Sequence, residues 1–158
     1  MGRKQETEDA ASKRKAVPEL PGCVATLAEC EQLLRDAGQF VTVQRRSILR
    51  YLLRHRVHPT TAQIAAAAGR AGNASLATVY NNLAVFAELG VVRVVRDPEG
   101  ELHWDLRTDS HHHMTCGGCG RVLDIEPSAA EVVVHDPKLR ARIERSEVWL
   151  VGRCGDCD

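Results

Sequence analysis

At 158 residues with 44% hydrophobic content, the chain has room for one ordinary domain or two small lobes with a buried core, which excludes a purely disordered polymer. Its start, MGRKQETEDAASKRK, has no apolar core of signal-peptide type and no later stretch approaches ~20 apolar residues, so a cytoplasmic protein with no membrane partner is expected. Formal net charge is zero, but residues 1–100 hold 14 Lys and Arg against 10 Asp and Glu, while residues 101–158 hold 7 against 11, so the halves differ in charge and are expected to differ in partner.

Residues 1–21, rich in charge and small residues and ending in PELPG, bury too little apolar surface to offset the entropy of ordering and read as a flexible tail. From Cys23 to Ala37, apolar Leu27, Cys30, Leu34 and Ala37 recur at steps of three and four, and Gly38 follows as a stop, which predicts a first helix. Cys23 and Cys30 lie seven apart on one face of it, where core packing accounts for them. A second helix runs from about Gln44 to Arg54 behind a Thr42 cap, with Ile48, Leu49, Leu52 and Leu53 as its buried stripe. Between Thr42 and His58 stand Arg45, Arg46, Arg50, Arg54 and Arg56 with no acid, an arrangement that suits a phosphate backbone and equally a solvated helix face.

A short Ala-rich helix is expected over Thr61–Ala68, ended by the segment from Gly69 to Gly72. The fourth helix has the strongest pattern: Ser75 caps it, Leu76, Val79, Leu83 and Phe86 make an inner face, and Gly90 closes it. Its outer face carries Ala77, Thr78, Tyr80, Asn81 and Ala84, of which Thr78, Tyr80 and Asn81 suit base edges in a major groove, an ordinary surface helix being the alternative. VVRVVR and ELHWDL, joined by Asp97, Pro98, Glu99 and Gly100, predict a β-hairpin. Helices followed by a hairpin describe a winged helix-turn-helix. After Ser110 the pattern reads as strand to Ile125, helix from Ser128 to about Val134 or beyond, and strand from Ser146 to Val151.

Six cysteines in a chain without a secretory leader point to metal or redox chemistry. Cys116 and Cys119 in CGGC, and Cys154 and Cys157 in CGDC, form two CxxC knuckles whose four thiolates match the closed tetrahedral shell of structural zinc, Zn(2+); disulfides or a redox pair are the alternatives. A second cluster, Asp105, His111, His112, His113 and Asp124, falls within twenty residues. Alternation along a strand puts His111 and His113 on one face and His112 on the other, and two imidazoles beside carboxylates suit a borderline divalent ion such as Fe(2+), Mn(2+) or zinc, unless the segment is a solvated polar loop.

The run from Val41 to Asp158 resembles the ferric uptake regulator family, in VTVQRR (with Gln44, Arg45 and Arg46), HPTTAQI, SLATVYNNLAVFAELGVV, the HxH–CxxC segment and the closing CGDC. The resemblance implies an α+β chain: a winged helix-turn-helix DNA-binding domain, here 22–106, followed by a small α/β dimerisation domain, here 107–158. It implies structural zinc on Cys116, Cys119, Cys154 and Cys157, and a regulatory metal on His58, Asp105, His111, His113 and Asp124, which brings in His58 from outside the local cluster. It implies a homodimer on an inverted-repeat operator, with metal clamping the two lobes so that metal and DNA favour each other's binding. VYNNL and the Asp at 124 resemble the peroxide-responsive branch; an iron-, manganese- or zinc-responsive regulator is the alternative. The segment after HPTTAQI departs from the pattern in being shorter and Ala-rich, as does the stretch before the last strand in lacking histidines. A metal-dependent hydrolase and a zinc-stapled interaction module are the rivals from other classes; neither a nucleophile nor a general-base motif supports the first.

Overall fold

The structure is a computed structural model and describes residues 26–55, 58–70, 73–129 and 131–157. The expected tail 1–21, Cys23 and Arg56 lie outside these residues. Helix α1 (Leu27–Asp36) starts at the first residue of its apolar pattern, because Thr26 and Glu29 form a reciprocal capping box there, Thr26 Oγ1 accepting from the Glu29 amide at 3.2 Å and Glu29 Oε2 from the Thr26 amide at 2.9 Å. Helix α2 (Val43–Arg54) has the expected Thr42 cap, and helix α4 (Leu76–Glu88) the expected Ser75 cap. Between them α3 (Thr61–Ile64), capped by Thr60, runs on through a π-helical stretch over Ala65–Gly69. Gly90, with φ of +69°, turns the chain out of α4 in the left-handed conformation that a side chain disfavours.

These helices close on one core, with Cys30, Leu34, Ile48, Leu49, Ile64, Val79, Leu83 and Phe86 fully buried. Leu76, expected on the inner face of α4, is instead 57% exposed: as the first helical residue it lies beyond the edge of the core and lines an open groove with Tyr80 and Leu102. Strands β1 (Arg93–Arg96) and β2 (Leu102–Asp105) pair antiparallel, with Arg93 opposite Asp105, and the Asp97–Gly100 turn closes on a 2.9 Å bond from the Gly100 amide to the Asp97 carbonyl. Thr60 bridges His103 on the free side of β2, and the Trp104 amide donates to the Pro59 carbonyl at 3.0 Å, so the chain around Pro59 lies along the hairpin.

A separate three-stranded sheet follows, in the order β4 (Val122–Ile125), β3 (His112–Cys116), β5 (Trp149–Gly152). β3 is antiparallel to β4, with His113 opposite Asp124, and parallel to β5, with Cys116 opposite Gly152. The helix expected from Ser128 to about Val134 is not formed: a 3-10 turn covers Pro127–Ala129 and one helical turn, α5 (Pro137–Arg140), follows Asp136. Among the described residues the apolar side chains of this segment find little to pack on, Val132, Val133, Leu139 and Ile143 being 47%, 62%, 55% and 42% exposed, and a short helix without a packed face is marginal in water. The whole is α+β, a winged helix-turn-helix followed by a small mixed sheet. Among the described residues no helix is long and apolar enough to cross a membrane.

Candidate metal centres and nucleic-acid interface

The parallel pairing of β3 with β5 sets the two CxxC knuckles side by side, and the sulfurs of Cys116, Cys119, Cys154 and Cys157 all lie within 4.8 Å of one another. Zinc–sulfur bonds of ~2.3 Å give a tetrahedron with edges of about 3.8 Å; Cys119 and Cys154 are 3.8 Å apart, Sγ to Sγ. A Cβ on Gly118 would stand 2.9 Å from Cys157 Cβ, so the first knuckle needs glycine there to admit the second. The Cys154 amide donates to Cys116 Sγ at 3.2 Å, and such amides bring the Cys116 thiol down to about 6. Neighbouring sulfurs push Cys157 up to about 12, so four thiolates are held together only around a cation. Arg121 adds charge balance, donating to Cys154 Sγ at 3.2 Å and Cys119 Sγ at 3.4 Å and pairing with Asp156. The donor set and its spacing fit zinc.

The second cluster gathers His58, Asp105, His111, His113 and Asp124, one ligand atom from each lying within 4.8 Å of the others. His58 reaches it because the His103 ring donates to the His58 carbonyl at 2.8 Å and the next residues lie along β2, while β3 and β4 supply His113 and Asp124 as opposed partners. His58 Nδ1 faces the Val122 carbonyl at 3.3 Å and His111 Nδ1 the Asp109 carbonyl at 3.1 Å. A carbonyl only accepts, so each Nδ1 carries the hydrogen and each Nε2 is turned inward as a potential ligand. His113 Nδ1 lies 2.8 Å from Glu147 Oε1, and its ring stacks on Trp149. His58 Nε2 is 2.9 Å from Asp124 Oδ1 and 3.7 Å from Asp105 Oδ2 but is buried without an aligned hydrogen bond, the condition of a ligand atom awaiting a cation. His112 points away from the cluster as alternation predicts, its Nδ1 accepting from the Val148 amide at 3.3 Å.

Burial opposes the charged imidazole of His58, yet Asp105 and Asp124 outweigh it and raise its pKa to about 9. Burial likewise works against the Asp105 carboxylate, and His113 and His58 outweigh it and hold the group well below the usual carboxylate range. His111 moves down, by burial and by the charge of Arg93. Arg93 was not singled out by sequence reasoning: a four-residue connection over Asp97–Gly100 would set it opposite Trp104, whereas the observed register, Arg96 opposite Leu102, sets it opposite Asp105. Its Nε donates to Asp105 Oδ2 at 2.9 Å, and Nη2 lies 3.0 Å from His111 Nε2 and 3.1 Å from His113 Nε2. Nothing in the pattern of the last strand marked Glu147.

With both centres in place, comparison with known proteins is decisive. The sequence profile of the Ferric uptake regulator family matches residues 36–143. This chain belongs to the ferric uptake regulator family. It is 35% identical over 136 residues to the "Peroxide-responsive repressor PerR" of Staphylococcus aureus, spanning 83% of this chain and 90% of that one. Among solved structures it is similar to the Vibrio cholerae ferric uptake regulator, at 25% identity and a TM-score of 0.57 over 78% of this chain and 98% of that one. The Pseudomonas aeruginosa ferric uptake regulator with manganese matches at 26% identity and a TM-score of 0.55, over 79% and 97%. The Helicobacter pylori regulator shares the fold, with a TM-score of 0.62 at 18% identity over 85% and 95%.

On this family member the outer face of α4 presents Ala77, Tyr80 and Asn81 exposed and Thr78 half-buried, its hydroxyl 2.9 Å from that of Ser75. Tyr80 rests edge-on against Trp104, with ring centroids 6.3 Å apart. Gln44, Arg45 and Arg46 are half-buried at the start of α2. Arg45 bonds Asn82 Oδ1 at 3.0 Å, the Phe40 carbonyl at 2.7 Å and Gln39 Oε1 at 2.8 Å, which ties α2 to α4 through Asn82, a residue the sequence reading passed over. Arg46 pairs with Glu31 at 2.7 Å. With Arg50, Arg54 and His55 it lines a groove of about 460 Å³ that extends the basic surface along α2.

Proposed function

We propose that this chain is a homodimeric, metal-dependent transcriptional repressor that binds an inverted-repeat operator and releases it when peroxide oxidises histidines of its regulatory centre. The observation that carries the reading is the His/Asp cluster, which draws His58 and Asp105 from the helix-and-hairpin part and His111, His113 and Asp124 from the part that follows. In this reading 22–106 is the DNA-binding lobe, 107–158 the dimerisation lobe and 1–21 a tail. Zn(2+) on the four cysteines stabilises the second lobe, in which Cys116, Val122 and Cys154 are the buried apolar residues among those described. Exposed Val132, Val133, Leu139, Ile143, Leu150 and Val151 supply the apolar surface that a second copy would cover.

Fe(2+) or Mn(2+) held by His58, Asp105, His111, His113 and Asp124 would fix one lobe against the other and so set the spacing of the two α4 helices in the dimer. Thr78, Tyr80, Asn81 and Ala77 then meet base edges, while Gln44, Arg45 and Arg46 lie toward the backbone. A guanidinium has five N–H donors; Arg45 commits one from each nitrogen to internal partners, which leaves two for phosphate.

The name of the Staphylococcus aureus relative and the chemistry of the ligand set support peroxide as the signal. Iron(II), when bound, supplies the reducing chemistry toward peroxide at the ligands themselves. His58 and His111 are the expected targets: one hydrogen peroxide delivers an oxygen atom to a ring carbon and leaves as water. An oxidised ring is a poor ligand, the lobes separate, and DNA is lost. The test is fluorescence anisotropy on the operator upstream of the chain's own gene with iron- and manganese-loaded protein, before and after anaerobic peroxide, alongside peptide mass mapping. The iron form loses DNA with oxygen added at His58 or His111, and the manganese form keeps it. Retained binding by the oxidised iron form, or oxidation confined to cysteines, makes the protein a plain iron- or manganese-responsive regulator.

A further inference from the structure

Arg93 opens β1 directly across the hairpin from Asp105, and its side chain is only 10% exposed. A basic residue on a wing would ordinarily face solvent or nucleic acid. Here the guanidinium turns inward and meets three of the five regulatory ligand residues: Asp105 Oδ2 through Nε at 2.9 Å, His111 Nε2 at 3.0 Å and His113 Nε2 at 3.1 Å through Nη2. Nη1 reaches the Asp109 carbonyl at 3.4 Å, on the outer side of the cluster. The imidazole lone pairs that accept from Nη2 are those turned toward the ion position, because the Nδ1 of His111 is committed to a carbonyl and the Nδ1 of His113 faces Glu147.

One lone pair does not serve an N–H donor and a metal ion together. We infer that Arg93 is an internal competitor for the regulatory ion: its guanidinium occupies the ligand atoms in the metal-free protein and must withdraw before the ion binds. The inference rests on the regulatory-centre reading above and deepens it. Arg93 lowers metal affinity and so sets the concentration at which the repressor loads. It also joins the hairpin to β3 when the ion is absent, keeping buried Asp105 paired and the two lobes in register. Asp109 marks the way out, since its carbonyl already holds one arm of the guanidinium.

The test compares zinc-loaded, full-length wild type with Arg93→Met, which keeps the aliphatic stem and removes every donor. Mn(II) alone is the probe, its Kd measured by competition with a fluorescent chelator. Arg93→Met binds Mn(II) about ten-fold more tightly or better, and its thermal midpoint without manganese falls while its manganese-loaded midpoint matches wild type. An unchanged or weaker Kd overturns the inference and leaves Arg93 as an aligner of the imidazoles. Arg93→Lys, a single cationic point that does not span Asp105 and both rings, falls between the two, and carries the test if Arg93→Met fails to retain zinc; equality with wild type then refutes competition. His58→Ala is measured in parallel. If His58→Ala binds Mn(II) as tightly as wild type, the regulatory centre itself is misplaced and the competition falls with it; if binding needs His58 and Arg93→Met gains nothing, only the competition falls.

Discussion

In the proposed regulatory centre, ion loading expels a proton, and His58 is its source. In the metal-free protein burial disfavours the charged ring, but the carboxylates of Asp105 and Asp124 prevail and raise the pKa from 6.5 to about 9. Asp124 is itself held below its ordinary value, His58 outweighing the effect of burial, so neither carboxylate has a proton to give near neutrality. Between about pH 7 and pH 8 His58 is then almost wholly protonated, and because a ligand nitrogen binds metal only without its proton, the Mn(II) Kd falls about ten-fold across that interval. The same shift stabilises the metal-free fold by about 3 kcal/mol. Its sign follows from a folded pKa above the unfolded one: the contribution is complete below pH 6.5 and disappears as pH rises through about 9. Manganese titration by calorimetry in two buffers of different ionisation enthalpy reads the proton directly, and urea unfolding of metal-free, zinc-loaded protein reads the stability. An Mn(II) affinity equal at both pH values, or a pH dependence of unfolding that His58→Gln leaves unaltered, would refute the electrostatic reasoning.

Cys154→Ser is expected to lose zinc and the structure of the second lobe, since binding energy at such a site is folding energy; full zinc content with an intact oligomer would remove the four-cysteine centre. Phe86→Ala, at a fully buried position in α4, costs about 3–5 kcal/mol in urea unfolding, while zinc content stays whole because the zinc centre lies outside that core. In binding titrations Asn81→Ala weakens operator binding more than binding to random DNA, whereas Arg45→Ala weakens both and flattens the salt dependence. Equal discrimination by Asn81→Ala and wild type would take α4 out of the major groove.

The features legible in the sequence are those whose cause is local. Thr42 and Ser75 act on amides three residues ahead, Asp97 and Gly100 close their own turn, and each CxxC is a knuckle before it meets its twin. Periodicity carried Val79, Leu83 and Phe86 correctly and misplaced Leu76, because a period gives direction around a helix and not where along its axis the core ends. The missing helix after Ser128 has the same origin: its apolar residues were visible, but a surface for them to pack on is not among the described residues. His58 is forty-seven positions from Asp105 and entered only by resemblance; its placement depends on the His103 ring and the Pro59 carbonyl, contacts that no local pattern encodes. Arg93 meets Asp105 only because the observed register, Arg96 opposite Leu102, is shifted by one residue from that of a four-residue Asp97–Gly100 connection, and its approach to His111 and His113 requires two sheets to be placed in space.

The two tryptophans of the chain are divided between its two candidate sites. Trp149 stacks on His113 with ring centroids 5.0 Å apart, and its indole N–H is anchored on Thr115 at 2.8 Å. Trp104 is buried in the helical core, anchored on Thr61 at 2.8 Å, with Tyr80 of α4 against its face. Under the proposed function, an open-shell ion bound to His113 would quench the first indole at contact range and the second far less, while DNA pressing on Tyr80 would perturb the second. Intrinsic emission therefore separates ion loading from operator engagement in the unlabelled protein, with Trp149→Phe and Trp104→Phe assigning each signal, so the order in which the two events occur can be timed in a single stopped-flow trace.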